Sequence, residues 1–169
     1  MRFFKHFLIL IFIATLQSCG VYSFTGADID YSTTKTFQVS LFQNNAPIVE
    51  PGISRQLTQE LQDLLLNQTN LDLVNSNGDL AYEGEITEYY TAPITATANN
   101  TAAQNRLTLS VNVRFYNTKN PDKDFEQPFS FYKDFPGTSQ LTGTQLDDAV
   151  DEIFERITQD IFNKSLANW

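Results

Sequence analysis

The 169-residue chain has almost none of the side chains on which enzymes rely for proton transfer and metal binding: one histidine, His6, and one cysteine, Cys19, both near its start. From Gly20 onward neither imidazole nor thiol occurs. That excludes Ser-His-Asp and Cys-His nucleophilic catalysis in the body of the chain, together with zinc sites built from nitrogen or sulfur ligands. A single cysteine also excludes an internal disulfide. Positive charge is scarce: eleven Lys and Arg stand against twenty Asp and Glu, a net charge of −9. A chain this acidic offers no broad positive surface to DNA, RNA or anionic headgroups. It has no glycine-rich phosphate loop, no paired-cysteine motif and no internal repeat.

The first nineteen residues carry the most direct signal. Arg2 and Lys5 precede an apolar run over residues 7–16, which ends in Leu16-Gln17-Ser18-Cys19. The run is well short of the ~20 residues a spanning helix needs. A charged start, a short greasy stretch and small residues before a cut are the marks of an export signal. Leu-x-Ser-Cys resembles the site at which bacterial lipoproteins are cleaved and acylated, so residues 1–18 are expected to be removed and Cys19 to become the lipidated first residue. Acylation also removes the liability of an unpaired thiol in an oxidising compartment. Each buried methylene adds roughly 0.8 kcal/mol of membrane attachment, so two or three acyl chains anchor a protein almost permanently. Loss of Arg2 and Lys5 leaves nine basic residues against twenty acidic ones. Residues 19–35 mix Ser, Thr, Gly and Asp without a sustained period and read as a lipidated tether; residues 36–169 read as a single domain.

Periodicity gives the elements. Phe37, Val39 and Leu41 alternate with Gln38, Ser40 and Phe42, predicting a half-buried strand over residues 36–43. Ile53, Leu57, Leu61, Leu64 and Leu65 line one face of a helix over residues 54–68. A short strand is expected at residues 71–74, then a tight hairpin turn at Asn77-Gly78, then a strand over residues 80–90. Residues 91–104, low in charge and rich in Thr, Ala and Asn, read as a long loop. Leu107, Leu109, Val111, Val113 and Phe115 put five apolar side chains on one face of the clearest strand, with a turn at residues 117–124 and a partner strand over residues 125–135. From Thr144 onward Leu146, Val150, Ile153, Ile157 and Ile161 line a second helix, widened by Phe154 and Phe162. Asp147, Asp148, Asp151 and Glu152 in its first turns suit the positive end of the helix dipole. The order β-α-β-β-β-β-α predicts an α+β fold, a two-layer sandwich of two amphipathic helices on one mixed sheet of four to five strands.

Few constellations point to chemistry. Residues 122–126, Asp-Lys-Asp-Phe-Glu, alternate carboxylates like the start of a calcium loop, but Gln127 stands where the sharp turn needs Gly and no distal Glu closes the site. Glu83, Glu85 and Glu88 contain the carboxylates of a hypothetical hydrolase; two of them sit at alternate positions of one strand, which makes them its solvent face. Asn67-Gln68-Thr69, Asn99-Asn100-Thr101 and Asn163-Lys164-Ser165 match the glycosylation sequon by chance. No metal, cofactor or catalytic residue is expected. Five basic residues, Arg106, Arg114, Lys119, Lys123 and Lys133, fall within one hairpin, where they form a candidate contact for lipid phosphates or acidic sugars. Ordinary sheet-surface charges balanced by Asp122, Asp124, Glu126 and Asp134 are the competing explanation.

The residues also resemble a family. The start of the expected mature chain (residues 19–26), Phe42-Gln43-Asn44-Asn45-Ala46, Leu73-Val74 with Gly78-Asp79-Leu80, Gln104-Asn105-Arg106-Leu107-Thr108 and the run 111–117 are similar to LptE, the lipopolysaccharide-assembly lipoprotein, in its Bacteroidetes-type form. The resemblance implies a non-enzymatic helix-and-sheet lipoprotein that plugs the LptD β-barrel of the outer membrane and helps lipopolysaccharide reach the outer leaflet. By the same resemblance it is held on the periplasmic side, lipid-anchored, with its domain in the barrel lumen; residues 91–104 and the adjoining strand ends are the candidate tip. Its partners are then an LptD-type barrel, lipopolysaccharide and the membrane, with no nucleic acid. A ligand-binding lipoprotein of another envelope complex, taking glycan or peptide, is the alternative.

Overall fold

The structure, a computed structural model, describes residues 27–48, 50–94, 104–136 and 141–167. The expected export signal, Cys19, the start of the expected tether and the centre of the 91–104 segment lie outside the described residues. The elements run β1 (Thr36–Val39), β2 (Gln43–Asn44), α1 (Ile53–Gln68), β3 (Asp72–Leu73), β4 (Leu80–Ile94), β5 (Gln104–Asn117), a 3-10 turn (Pro121–Lys123), β6 (Phe125–Pro136) and α2 (Thr144–Leu166). The expected two-layer α+β sandwich is present, with six strands instead of four or five, because the first strand is two. Among the described residues no helix is long and apolar enough to cross a membrane.

That break has a geometric cause. Val39 pairs with Tyr82 but Gln43 pairs with Glu85, so the β1–β2 segment spends one residue more than β4 over the same stretch. One extra residue reverses which side chains face the core. Leu41, predicted inward, is 51% exposed, whereas Phe42, predicted outward, is fully buried. The Phe42 N–H, freed from the ladder, donates to the Thr58 hydroxyl of α1 at 3.2 Å. The Phe42 ring then occupies the space that a side chain at Gly84 would fill: a Cβ there would lie 2.7 Å from it and 2.2 Å from the Asn112 carbonyl oxygen.

The second correction concerns the expected hairpin at Asn77-Gly78. Strands β3 and β4 do not pair with each other; both run parallel to β1, one on each side, in the sheet order β3-β1-β4-β5-β6. Asn77 does turn the chain, with φ 56°. The turn, however, carries residues 74–79 across β1 instead of back alongside β3. A Cβ on Gly78 would lie 2.7 Å from the Gln38 backbone nitrogen and 2.9 Å from the Phe37 carbonyl carbon, so the crossing passes too close to β1 for any side chain. Asp79 locks it. Its Oδ2 accepts from the Lys35 N–H at 2.8 Å and the Thr36 N–H at 3.1 Å, and its Oδ1 meets Lys119 Nζ at 2.8 Å.

The long strands β4, β5 and β6 are antiparallel, and β4 and β5 extend into the segment read as a loop, pairing as far as Ile94 with Gln104. Their inner face meets both helices in one core. Phe37, Phe42, Leu57, Leu61, Tyr82, Ile86, Leu109, Phe115, Phe154 and Ile157 are completely buried there. Tyr82 satisfies its buried hydroxyl on Ser165 of α2 at 2.9 Å, and burial pushes its ionisation well above the ordinary tyrosine range. At the other end of the chain's path, Ala27 bridges Ala167, and the Asp28 N–H donates to the Leu166 carbonyl oxygen.

Between the helices lies a strained polar seam. Glu60 of α1 is half-buried, and Gln56 donates to both Glu60 and Asp151 of α2. Burial, with Asp151, Glu155 and Asp63 nearby, raises the Glu60 carboxyl from 4.5 to about 7, against the opposing hydrogen bond from Gln56. A carboxyl whose folded pKa is raised favours the fold at low pH and loses that advantage as pH rises from 4.5 to about 7. Glu60→Gln is therefore expected to leave stability unchanged at pH 5 and to raise it by about 1 kcal/mol at pH 8, a figure discounted for partial exposure, in urea unfolding at the two pH values. Gly78→Ala is expected to cost about 3 kcal/mol or to prevent folding, read by the same denaturation.

Candidate functional site

The helices cover one face of the sheet and leave the other open. On that open face the side chains of β4, β5 and β6 alternate outward and meet in cross-strand rows. Arg114 lies between Glu85 at 3.0 Å and Glu126 at 3.8 Å. Asn112 donates to the same two carboxylates at 3.1 and 2.8 Å. Ser110 donates to Glu88 at 2.6 Å and pairs with Ser130 at 2.8 Å. Glu88 reaches this face through a bulge at Thr87, where the pairing with β5 shifts by one residue. Furthest along, Arg106 grips Asp134 with two hydrogen bonds, at 2.7 and 2.9 Å, and lies 3.6 Å above the Tyr132 ring. The pair holds the Asp134 carboxyl below its ordinary value and raises the guanidinium's.

The five basic residues singled out in the sequence do not form one patch. Arg106 and Arg114 share the open face, but eight residues apart on β5 they are separated by about 26 Å. Lys119 and Lys123 lie at the β5–β6 turn, paired with Asp79 at 2.8 Å and Asp28 at 3.3 Å. Lys133, in register with inward-facing Leu107, belongs to the helix side of β6 and pairs with Glu152 of α2. The register that pairs Arg106 with Asp134 puts residues 106 and 133 on opposite faces, and each cation already has a carboxylate. Glu83 and Glu85 take outward positions on β4, with Glu85 bound to Arg114 and Asn112; they line the open face and not a cleft. Of residues 122–126, which suggested a calcium loop, Asp122 and Lys123 lie in the 3-10 turn, Asp124 follows it and accepts from the Asn117 N–H at 2.7 Å, and Phe125 and Glu126 open β6.

Sequence reasoning did not name the tyrosines as site residues. Among the described residues the exposed large aromatics are Tyr90, Tyr116 and Tyr132, at 43%, 41% and 47%, and all three fall on the open face. Their outward positions in alternating strands were the available signal.

Set beside known proteins, this architecture has a clear place. The profile of the LptE lipopolysaccharide-assembly family matches residues 34–165. The chain belongs to the LptE family. The family is one of non-enzymatic lipopolysaccharide-assembly lipoproteins, so this LptE-family chain is a lipoprotein of that assembly and not an enzyme. No curated protein matches it. Among solved structures, the hypothetical protein CT253 of Chlamydia trachomatis has the same fold, with a TM-score of 0.54 at 11% identity, covering 80% of this chain and 99% of that one. The rare lipoprotein B of Shewanella oneidensis aligns with a TM-score of 0.49 at 14% identity, over 75% of this chain and 91% of that one. Two of the stretches on which the resemblance was stated fall at structural necessities: Gly78-Asp79 at the crossing and Phe42-Gln43-Asn44-Asn45 at the β1–β2 break.

Because Lys133 and Glu152 are both about half-exposed, Lys133→Ala is expected to change unfolding stability by less than about 0.5 kcal/mol in chemical denaturation.

Proposed function

We propose that this LptE-family lipoprotein is held by acylated Cys19 on the periplasmic side of the outer membrane, and that its domain sits as a plug in the lumen of an LptD-type β-barrel through which lipopolysaccharide passes. The observation that carries this reading is the open face of the sheet, whose polar side chains are cross-linked to one another by hydrogen bonds. A barrel interior is polar and wet, so a plug needs a hydrophilic exterior whose groups are already satisfied. The absence of histidine and cysteine after Cys19 fits a protein that works by fitting into a larger one.

Within this reading, Arg106 and Arg114 keep their pairing with Asp134 and with Glu85 and Glu126. Lys119, Lys123 and Lys133 would contact lipid at other places on the domain. Detergent extraction of the lipoprotein expressed at its native level tests the proposal: it is expected to co-purify with a large outer-membrane barrel. Recovery as a clean monomer contradicts it.

A further inference from the structure

Two surfaces of the domain are available to a partner, and they differ in kind. The helix layer presents Asp147, Asp148, Asp151, Glu152, Glu155 and Asp160 along the exposed side of α2, with no exposed aromatic among the described residues of either helix. The open sheet face carries the three exposed tyrosines, two arginines and no lysine. Tyrosine and arginine are among the residues most enriched at the energetic centres of protein interfaces, and the described residues of the helices expose no aromatic to match them.

The face is also pre-organised. Tyr90, Thr108 and Tyr132 form one row across β4, β5 and β6, and the neighbouring row holds Arg106 stacked on Tyr132 and locked to Asp134. Side chains fixed in this way lose little freedom on docking, and tyrosine adds large contact area with few rotatable bonds. The charge of the face selects the partner's: Glu83, Glu85, Glu88, Glu126 and Asp134 outnumber Arg106 and Arg114. A surface apposed to it must supply cations and hydrogen-bond donors.

Building on the barrel-seated reading above, we propose that the open face of β4, β5 and β6, centred on Tyr90, Arg106 and Tyr132, is the surface that docks on the inner wall of the barrel, and that the wall facing it is polar and bears basic side chains. The helix layer then faces the aqueous lumen.

The test uses the full-length lipoprotein in its own membranes with a photo-cross-linking residue at position 132 or, separately, at position 160 on α2. The expected result is a barrel adduct from position 132 at least tenfold more abundant than from position 160. Equal yields, or an adduct from position 160 alone, overturn the face assignment and leave the barrel reading standing. A barrel absent from both adducts and from the detergent extract overturns both. As an independent arm, the double variant Tyr90→Ala with Tyr132→Ala is expected to retain its melting transition and to recover at least tenfold less barrel. Undiminished recovery overturns the proposal.

Discussion

The fold turns on one carboxylate at one crossing. Residues 74–79 pass over β1 to place β4 on its far side, and Asp79 ties that passage to the β1 entry through the Lys35 and Thr36 amides. The same residue reaches the far end of the long strands: its side chain pairs with Lys119, and its carbonyl oxygen accepts from Thr118. The hydrogen bond from Lys119, with those from the Lys35 and Thr36 amides, holds the Asp79 carboxyl below its ordinary value. Its contribution to stability is therefore complete above the ordinary carboxylate pKa and is lost progressively as pH falls from there through the lowered folded value. β4 joins the parallel and antiparallel halves of the sheet, pairing with β1 and β2 on one side and β5 on the other, and this junction pins its start. Gly78 permits the close passage and Asp79 makes it specific.

From that junction follows the division of labour between the two faces. The core is built on the inner face, where Phe42 fills the place left by Gly84 and both helices close over β4, β5 and β6. Hydrophobic burial is spent on that side. The outer face of the same strands is then free to be polar, and its arginine, asparagine, serine and glutamate side chains bond to one another across strands.

Much of this was legible in the sequence, and what was not has identifiable causes. Both helices and the inner faces of β5 and β6 follow from local periodicity, because burial there is regular over more than ten residues. The β1–β2 break was not legible, because the extra residue exists only relative to β4. Asn77-Gly78 turns the chain as its type predicts, but which strand lies next to which is decided by parallel pairing with β1, a long-range contact. The grouping of five cations failed for a simpler reason: closeness in a hairpin does not put odd and even residues on the same face. The open-face rows were hidden because the bulge at Thr87 changes which residues of β4 face outward.

As an LptE-family lipoprotein, the chain needs no reactive side chain; the account assigns its work to a rigid, polar, tyrosine-bearing face. Carboxyl footprinting of the lipoprotein, alone and in its assembled complex, tests this most directly. The account predicts that Glu85, Glu88, Glu126 and Asp134 lose labelling on assembly while Asp147 and Asp160 keep theirs. Protection of the helix carboxylates with the sheet face still fully labelled would contradict it.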